Sequence, residues 1–435
     1  MKFKVTQKSR TNSSRLGCLS GAERLPDKEL ETPLVMLYTK GGSIPHITHE
    51  VLQLITKECQ TIQIPLVSTV QFVQPIGAWD RPLADFIGLT EYVTCVTVQD
   101  PGDFTPSGKH KQDSVPIWTR SGKVDISPNK YMDMIEKFKP DMYYALSDGD
   151  TNVSSPKKRT QKSVDRTLQF FEKCSQRHIK SDILKKKMFI AAIAGGFNVI
   201  ERQRCIRSLL KNENILSVSG FLIDGIHNNG PELELLNFTE VKPVLDETLK
   251  MLPEDKLRSV HGCWNPLAVI NLVQMGVDVF DTSFPYIVTE RSAALTFNYR
   301  PSDGEISEKF EINLRDLSYA SSFEPLYAHC ACLACRKHTR AYIYHLLNVQ
   351  ELLGTVLLTI HNLHHYLEFF KQIRDSIRTQ TLDDLQEWIQ RQYLEYQRSL
   401  LECKPLLESR NMETDMNDIN GDTIYNNSQP NQQPN

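Results

Sequence analysis

The chain has 435 residues, with 50 Lys and Arg against 53 Asp and Glu and a net charge of −3, long enough for one large barrel or two to three smaller domains around a substantial core. A near-neutral balance says nothing in favour of nucleic acid, and no apolar run approaches the roughly 20 residues that span a bilayer. The start, Met1-Lys2-Phe3-Lys4-Val5, has no hydrophobic signal core behind it, and most of the 10 cysteines are scattered without a repeating spacing, which points to a reducing compartment with the cytosol as default.

In chain order, Pro33 to Tyr38 reads as a strand followed by the turn Lys40-Gly41-Gly42-Ser43, with Thr48 as N-cap of a helix behind it. Further β-rich runs are Ile62 to Val67, Tyr92 to Val98, Met142 to Leu146, Met188 to Ile193, Ile215 to Ile223 and Val277 to Phe280. Helical patterns such as Val164 to Cys174 and Asn265 to Gln274 lie between them. This βαβ rhythm without a central linker predicts one (β/α)8 barrel, with functional loops at the C-terminal ends of its strands. The expected division is an N-terminal arm 1–14, a barrel 15–329, a subdomain with C-terminal helices 330–402, and a disordered tail 410–435.

Two polar segments, Pro101 to Pro116 and Asp148 to Lys162, read as exposed loops or insertions. From Lys157 to Lys187 there are eleven Lys or Arg against three acids, which is either a phosphate-facing surface or a solvated helix face. Past residue 338 the pattern is helical, and Thr381-Leu382-Asp383-Asp384 has the form of a capping box opening a last helix through about Leu401.

Cys330, Cys332 and Cys335 crowd three thiols into six residues, a grouping that a soft tetrahedral cation rewards. A histidine would close the shell: His361, within the apolar run Gly354 to Phe370, is one choice, with His329, His338, His345, His364 and His365 also nearby. Three cysteines and a histidine leave no open position for water, so the inferred metal is one structural zinc that pins a loop to a helix.

With that cluster placed after a barrel, residues 15 to 402 resemble the tRNA-guanine transglycosylase family, which exchanges a guanine at the anticodon wobble position for queuine or a precursor. The Cys330-x-Cys332-x2-Cys335 pattern and the downstream His361-Asn362-Leu363 match the family's zinc motif, and the resemblance selects His361 over His364. Trp79-Asp80-Arg81-Pro82 and Gly276-Val277-Asp278-Val279-Phe280-Asp281 are also similar to family segments. Asp281 matches the family's nucleophile.

The resemblance fails where the family reads its purine. After Pro82 the chain has Leu83-Ala84-Asp85-Phe86-Ile87-Gly88 in place of an Asp-Ser-Gly-Gly-Phe-Gln loop, so Asp85 is one residue out of step. Ala194, in Ile193-Ala194-Gly195-Gly196, stands where a glutamine reads the base edge. The second recognition carboxylate falls on either Ser147 or Asp148, and Ser219 to Asp224 has lost one glycine of the family's Gly-Gly-Leu. Unpaired buried groups cost about 1–3 kcal/mol each, so such a pocket would not hold a purine.

The resemblance therefore implies a non-catalytic member in which Asp281 is dispensable. It further implies a heterodimer with a catalytic subunit, tRNA with a GUN anticodon as shared substrate, and a cytoplasmic location with peripheral association to the outer mitochondrial membrane. The helices from about 338 to 401, with Tyr342, Tyr344, Leu346, Leu347 and Val349, are the expected surface for that partner. Two competing readings are an active transglycosylase using Asp281 on a different base, and an unrelated RNA-binding zinc protein that relies on residues 157–187.

Overall fold

The computed structural model describes residues 1–301 and 309–399, so the expected disordered tail lies outside the described residues. Strands β1 (Lys2–Lys8), β2 (Arg15–Ala22) and β3 (Leu25–Thr32) form an antiparallel sheet. The barrel strands are β4 (Leu34–Tyr38), β5 (Thr61–Pro65), β6 (Val93–Thr97), β9 (Met142–Tyr144), β10 (Met188–Ile193), β11 (Val218–Ile223), β12 (Leu257–Ser259) and β13 (Val279–Asp281). They close in sequence order, every neighbouring pair parallel, with β13 hydrogen-bonded to β4. A hairpin of β7 (Val115–Thr119) and β8 (Gly122–Ile126) interrupts the series after β6, and β14 (Ala293–Leu295) pairs with β15 (Glu311–Asn313) after the barrel closes. The expected (β/α)8 barrel is therefore the fold.

The barrel interior is filled by Met36, Cys95, Met142, Tyr144, Ile190, Ala192 and Val279, and Leu19, Ala22 and Leu30 of the N-terminal sheet join that cluster. Because its members include the first residues of β4, β6, β9, β10, β12 and β13, the sheet plugs the end from which the strands start. The first fourteen residues, read from sequence as an arm, supply β1 and the loop into β2. The alternation Lys2-Phe3-Lys4-Val5 sends polar side chains outward and lays the Phe3 ring on Gly17, where a Cβ would come within 2.4 Å of it. Arg15 Nη2 meets Asp278 at 2.6 Å with both side chains buried, which ties the sheet to the start of β13.

One of the two expected loops is partly helical. The helix Lys157–Lys180 begins inside the segment read as an insertion, and Asp148 ahead of it is fully buried against Arg159 and Arg166. In the same basic stretch Arg177 pairs with Asp133 and Glu136, Lys185 with Asp182, and Lys186 and Lys187 with Glu23. Much of the basic excess is thus neutralised within the chain, and the solvated-face reading is favoured.

His178 of this helix is buried, stacks on Phe189 at 4.9 Å, and accepts at Nδ1 from the Tyr143 hydroxyl at 2.6 Å. Burial lowers its imidazole to about 4. A depressed histidine contributes stability above its unfolded value near 6.5 and loses it as pH falls toward 4. Urea melts should therefore show up to about 3 kcal/mol of loss between those limits. His178→Phe should flatten that slope, and an unchanged slope in the variant would refute the assignment.

Candidate metal centre and barrel mouth

Three elements hold the four motif residues. Cys332 caps the short helix Leu333–Lys337, its sulfur accepting from the Cys335 amide at 3.3 Å, so the two thiols face the same side. Cys330 precedes them on a turn closed by its amide on the Tyr327 carbonyl at 3.2 Å. His361 sits mid-way along the helix Leu352–Thr379 and is fully buried. Its Nε2 donates to the Leu295 carbonyl at 2.7 Å, which leaves Nδ1 facing Cys335 Sγ at 3.2 Å and Cys332 Sγ at 3.7 Å.

The four donor atoms all lie within 4.8 Å of one another, a span that one ion can bridge with bonds of about 2.0–2.3 Å. Burial by itself would lower the His361 imidazole, but Cys332 and Cys335 raise it to about 10. Contacts among the thiols raise Cys330, through Cys332 and Cys335, and lower Cys332, through Cys330 and Cys335 and then His361, since three sulfurs this close cannot all carry charge without a cation. Donor chemistry, spacing and the free ring nitrogen fit a metal ion, and three soft sulfurs with one imidazole are compatible with zinc.

The rival histidines are elsewhere. His329 and His345 are exposed, His338 stacks on Tyr342 at 5.3 Å, and His365 Nε2 donates to the Phe297 carbonyl at 3.0 Å. Asn362, quoted in the motif without a role, is buried: its amide donates to Thr289 Oγ1 at 2.9 Å and the Ala293 carbonyl at 3.0 Å, while its Oδ1 accepts from the Leu295 amide at 2.8 Å. The pair His361 and Asn362 thus clamps β14 to the long helix. Only its place beside the histidine could have signalled this.

At the other candidate site, the strand ends of the barrel, the mouth is filled. The loop after β6, expected to be exposed, folds over it: Asp100 accepts from the Tyr38 hydroxyl at 2.6 Å and the Gly102 amide at 2.9 Å. The Pro101 carbonyl accepts from Gly230 N at 3.2 Å, and Asp150 Oδ2 accepts from Gly108 N at 2.8 Å. His110 wedges in with its side chain only 4% exposed, 3.6 Å from Asp148 and 3.3 Å from Asp150. What remains is a cavity of about 80 Å³, far below the roughly 300 Å³ at the small end of ligand pockets.

Asp281 lies beneath this plug with its side chain fully buried. One carboxylate oxygen accepts from the Ser283 amide and hydroxyl, the other from the Gly262 amide at 2.9 Å. His261 stands 3.6 Å away and packs edge-on against Tyr144 at 4.6 Å, where both line the cavity. A nucleophile needs an open approach, and this carboxylate is spent on holding the turns after β12 and β13.

The other sequence-singled positions are also not assembled into a pocket. Asp85 pairs with Arg81 at 2.9 Å on the short helix Leu83–Phe86, and Ala194 is core. Of Ser147 and Asp148, Ser147 lines the cavity, where its hydroxyl donates to Asp224 Oδ2 at 2.6 Å, while Asp148 serves the arginines of the following helix. Behind Gly195 and Gly196 the fully buried Arg202 donates to the carbonyls of Gly196 at 2.6 Å and Asp224 at 2.7 Å. Neither Asp224 nor Arg202 was expected; the aspartate stood at the end of a quoted segment, and the arginine carried no motif.

Fold and site together define a (β/α)8 barrel protein with a Cys3His cluster able to hold a metal ion against its outer helix and a filled barrel mouth. The chain belongs to the queuine tRNA-ribosyltransferase family, whose model matches residues 10–395. It is 39% identical over 393 residues to a protein of Aedes aegypti named queuine tRNA-ribosyltransferase accessory subunit 2, covering 90% of this chain and 93% of the relative. Relatives of the same name in Drosophila virilis (40% over 393 residues, 90% and 93% covered) and Anopheles gambiae (37% over 412 residues, 94% of each) are similar over the same extent.

Proposed function

We propose that this chain is the non-catalytic subunit of a two-chain tRNA-guanine transglycosylase that exchanges guanine for queuine at the wobble position of tRNA with a GUN anticodon. The observation that carries the reading is the buried, fully hydrogen-bonded Asp281 under a mouth with about 80 Å³ of space. Similarity to proteins named accessory subunit 2 supports it. In this reading the Cys330, Cys332, Cys335 and His361 cluster holds one structural zinc, which fixes the outer helices and supplies no chemistry.

The partner is a catalytic subunit of the same family, and the surface offered to it lies around the helix Arg340–Asn348. Of the apolar side chains expected there, Leu346 and Leu347 are buried in the chain's own core, and Tyr344 is half-buried. Tyr342 and Val349 are exposed, as are Leu317, Phe323 and Leu352 on adjoining elements, the last three at 75%, 78% and 82%. Such apolar exposure favours a protein partner. The reading also carries a cytoplasmic location with peripheral docking at the outer mitochondrial membrane, which rests on the family resemblance; no described helix is long and apolar enough to cross a membrane.

Reconstitution with the catalytic partner tests the reading. Asp281→Asn in this chain keeps an acceptor for the Gly262 amide and should leave guanine exchange within about threefold. The matching change in the partner should abolish it. A hundredfold drop for the first variant, about 2.7 kcal/mol of transition-state stabilisation, would make this chain the enzyme.

A further inference from the structure

Opposite the mouth, where the strands begin, a pocket of about 410 Å³ opens between the β1–β2 loop, the end of the helix Phe238–Leu249 and the start of β12. Its inner wall holds Arg258, 6% exposed, whose Nη2 donates to the Leu252 carbonyl at 3.2 Å. The Nε of Arg258 is buried without a hydrogen-bond partner among the described residues, and so is the hydroxyl of Ser14 on the same pocket. Gly276, at φ +90°, removes a Cβ that would sit 2.8 Å from Arg258 Nη1.

The charge balance points the same way. Two buried guanidiniums, Arg15 and Arg258, share one buried carboxylate, Asp278, and Arg15 takes both of its oxygens, at 2.9 and 2.6 Å. The other acids of the wall are engaged elsewhere: Glu254 with Lys8 at the exposed rim, and Asp246 with Lys242 at 2.9 Å. Burial, and then Arg15, lower Arg258 to about 10. A buried positive charge left in surplus is costly unless paired.

We infer that this pocket binds a small phosphate-bearing molecule, its oxyanion between Arg258 and Ser14 and the rest of it in the space beyond. Arg258 would supply the charge and a planar pair of donors, Ser14 one more hydrogen bond. The volume lies in the range that holds a small organic ligand rather than a bare ion.

The test is titration of the full-length, metal-loaded protein with inorganic phosphate and with a nucleoside monophosphate at fixed ionic strength in chloride, read by calorimetry and thermal shift. One saturable site per chain is expected, weakened at least tenfold in Arg258→Gln and several-fold in Ser14→Ala. Tighter binding of the ester than of the free ion supports the organic ligand. No saturable binding, or the same affinity in Ser14→Ala and Arg258→Gln, overturns the inference; if Arg258→Gln fails to fold, unchanged affinity in Ser14→Ala does so alone. Binding of a short RNA that these variants lose, with neither small phosphate binding, would also overturn it.

Discussion

Cys332→Ser should release the metal and lower the unfolding free energy by on the order of 5 kcal/mol, a fraction of the roughly 10–16 kcal/mol with which a structural zinc is held. The size follows from what Cys332 does. It is one of four donors within 4.8 Å, and its sulfur also caps the helix that presents Cys335. A serine oxygen is a poor replacement for a soft thiolate, and the remaining three donors close no shell. Elemental analysis and a denaturant melt read the two effects together. Zinc content and midpoint both unchanged in the variant would show that Cys332 is not a ligand, and a parent protein without zinc would show that the cluster is only a set of buried thiols.

Asn362→Leu should cost about 3–5 kcal/mol and weaken metal retention about 10- to 100-fold. The substitution removes one acceptor and two donors from a buried site, stranding the Leu295 amide and the Ala293 carbonyl at about 1–3 kcal/mol each, and leaving the Thr289 hydroxyl with only its bond to the Pro285 carbonyl. The effect reaches the metal because the same stretch of β14 also positions His361: the Leu295 carbonyl holds Nε2 and so presents Nδ1 to the sulfurs. Outer partners of a ligand commonly carry that share of affinity. A chelator competition with a loss below threefold, or a stability change under 1 kcal/mol, would show that the clamp is not rigidly coupled to the cluster.

The filled mouth gives the non-catalytic reading a physical form. Loss of a recognition glutamine, as at Ala194, could by itself leave an empty but open pocket. Here the loop after β6, His110 and the Ser147–Asp224 pair occupy that volume, and Asp281 is bonded on both oxygens. Restoring a single recognition residue would leave these groups in place.

Much of this molecule was decided by its sequence alone. Seven of the eight barrel strands are apolar runs between turn signals, which is how strands buried on both faces must read. The candidate metal site is legible because three cysteines within six residues, with one histidine, are the donor set a soft cation takes. The strand that sequence missed, β12, is three residues long with Arg258 at its centre, too short and too polar to show a period. The N-terminal sheet was missed for a related reason: β1 and β3 are rich in exposed charged residues, and the few buried apolar side chains of the sheet, Leu19, Ala22 and Leu30, find their core only at the barrel end. Tertiary structure also decided which of Ser147 and Asp148 faces the mouth, that a polar Gly/Pro loop seals it, and that Asp281 holds a turn. These depend on which groups meet once separate strand-end loops are brought together, and a carboxylate reads the same in a sequence whether it faces a substrate or a backbone amide.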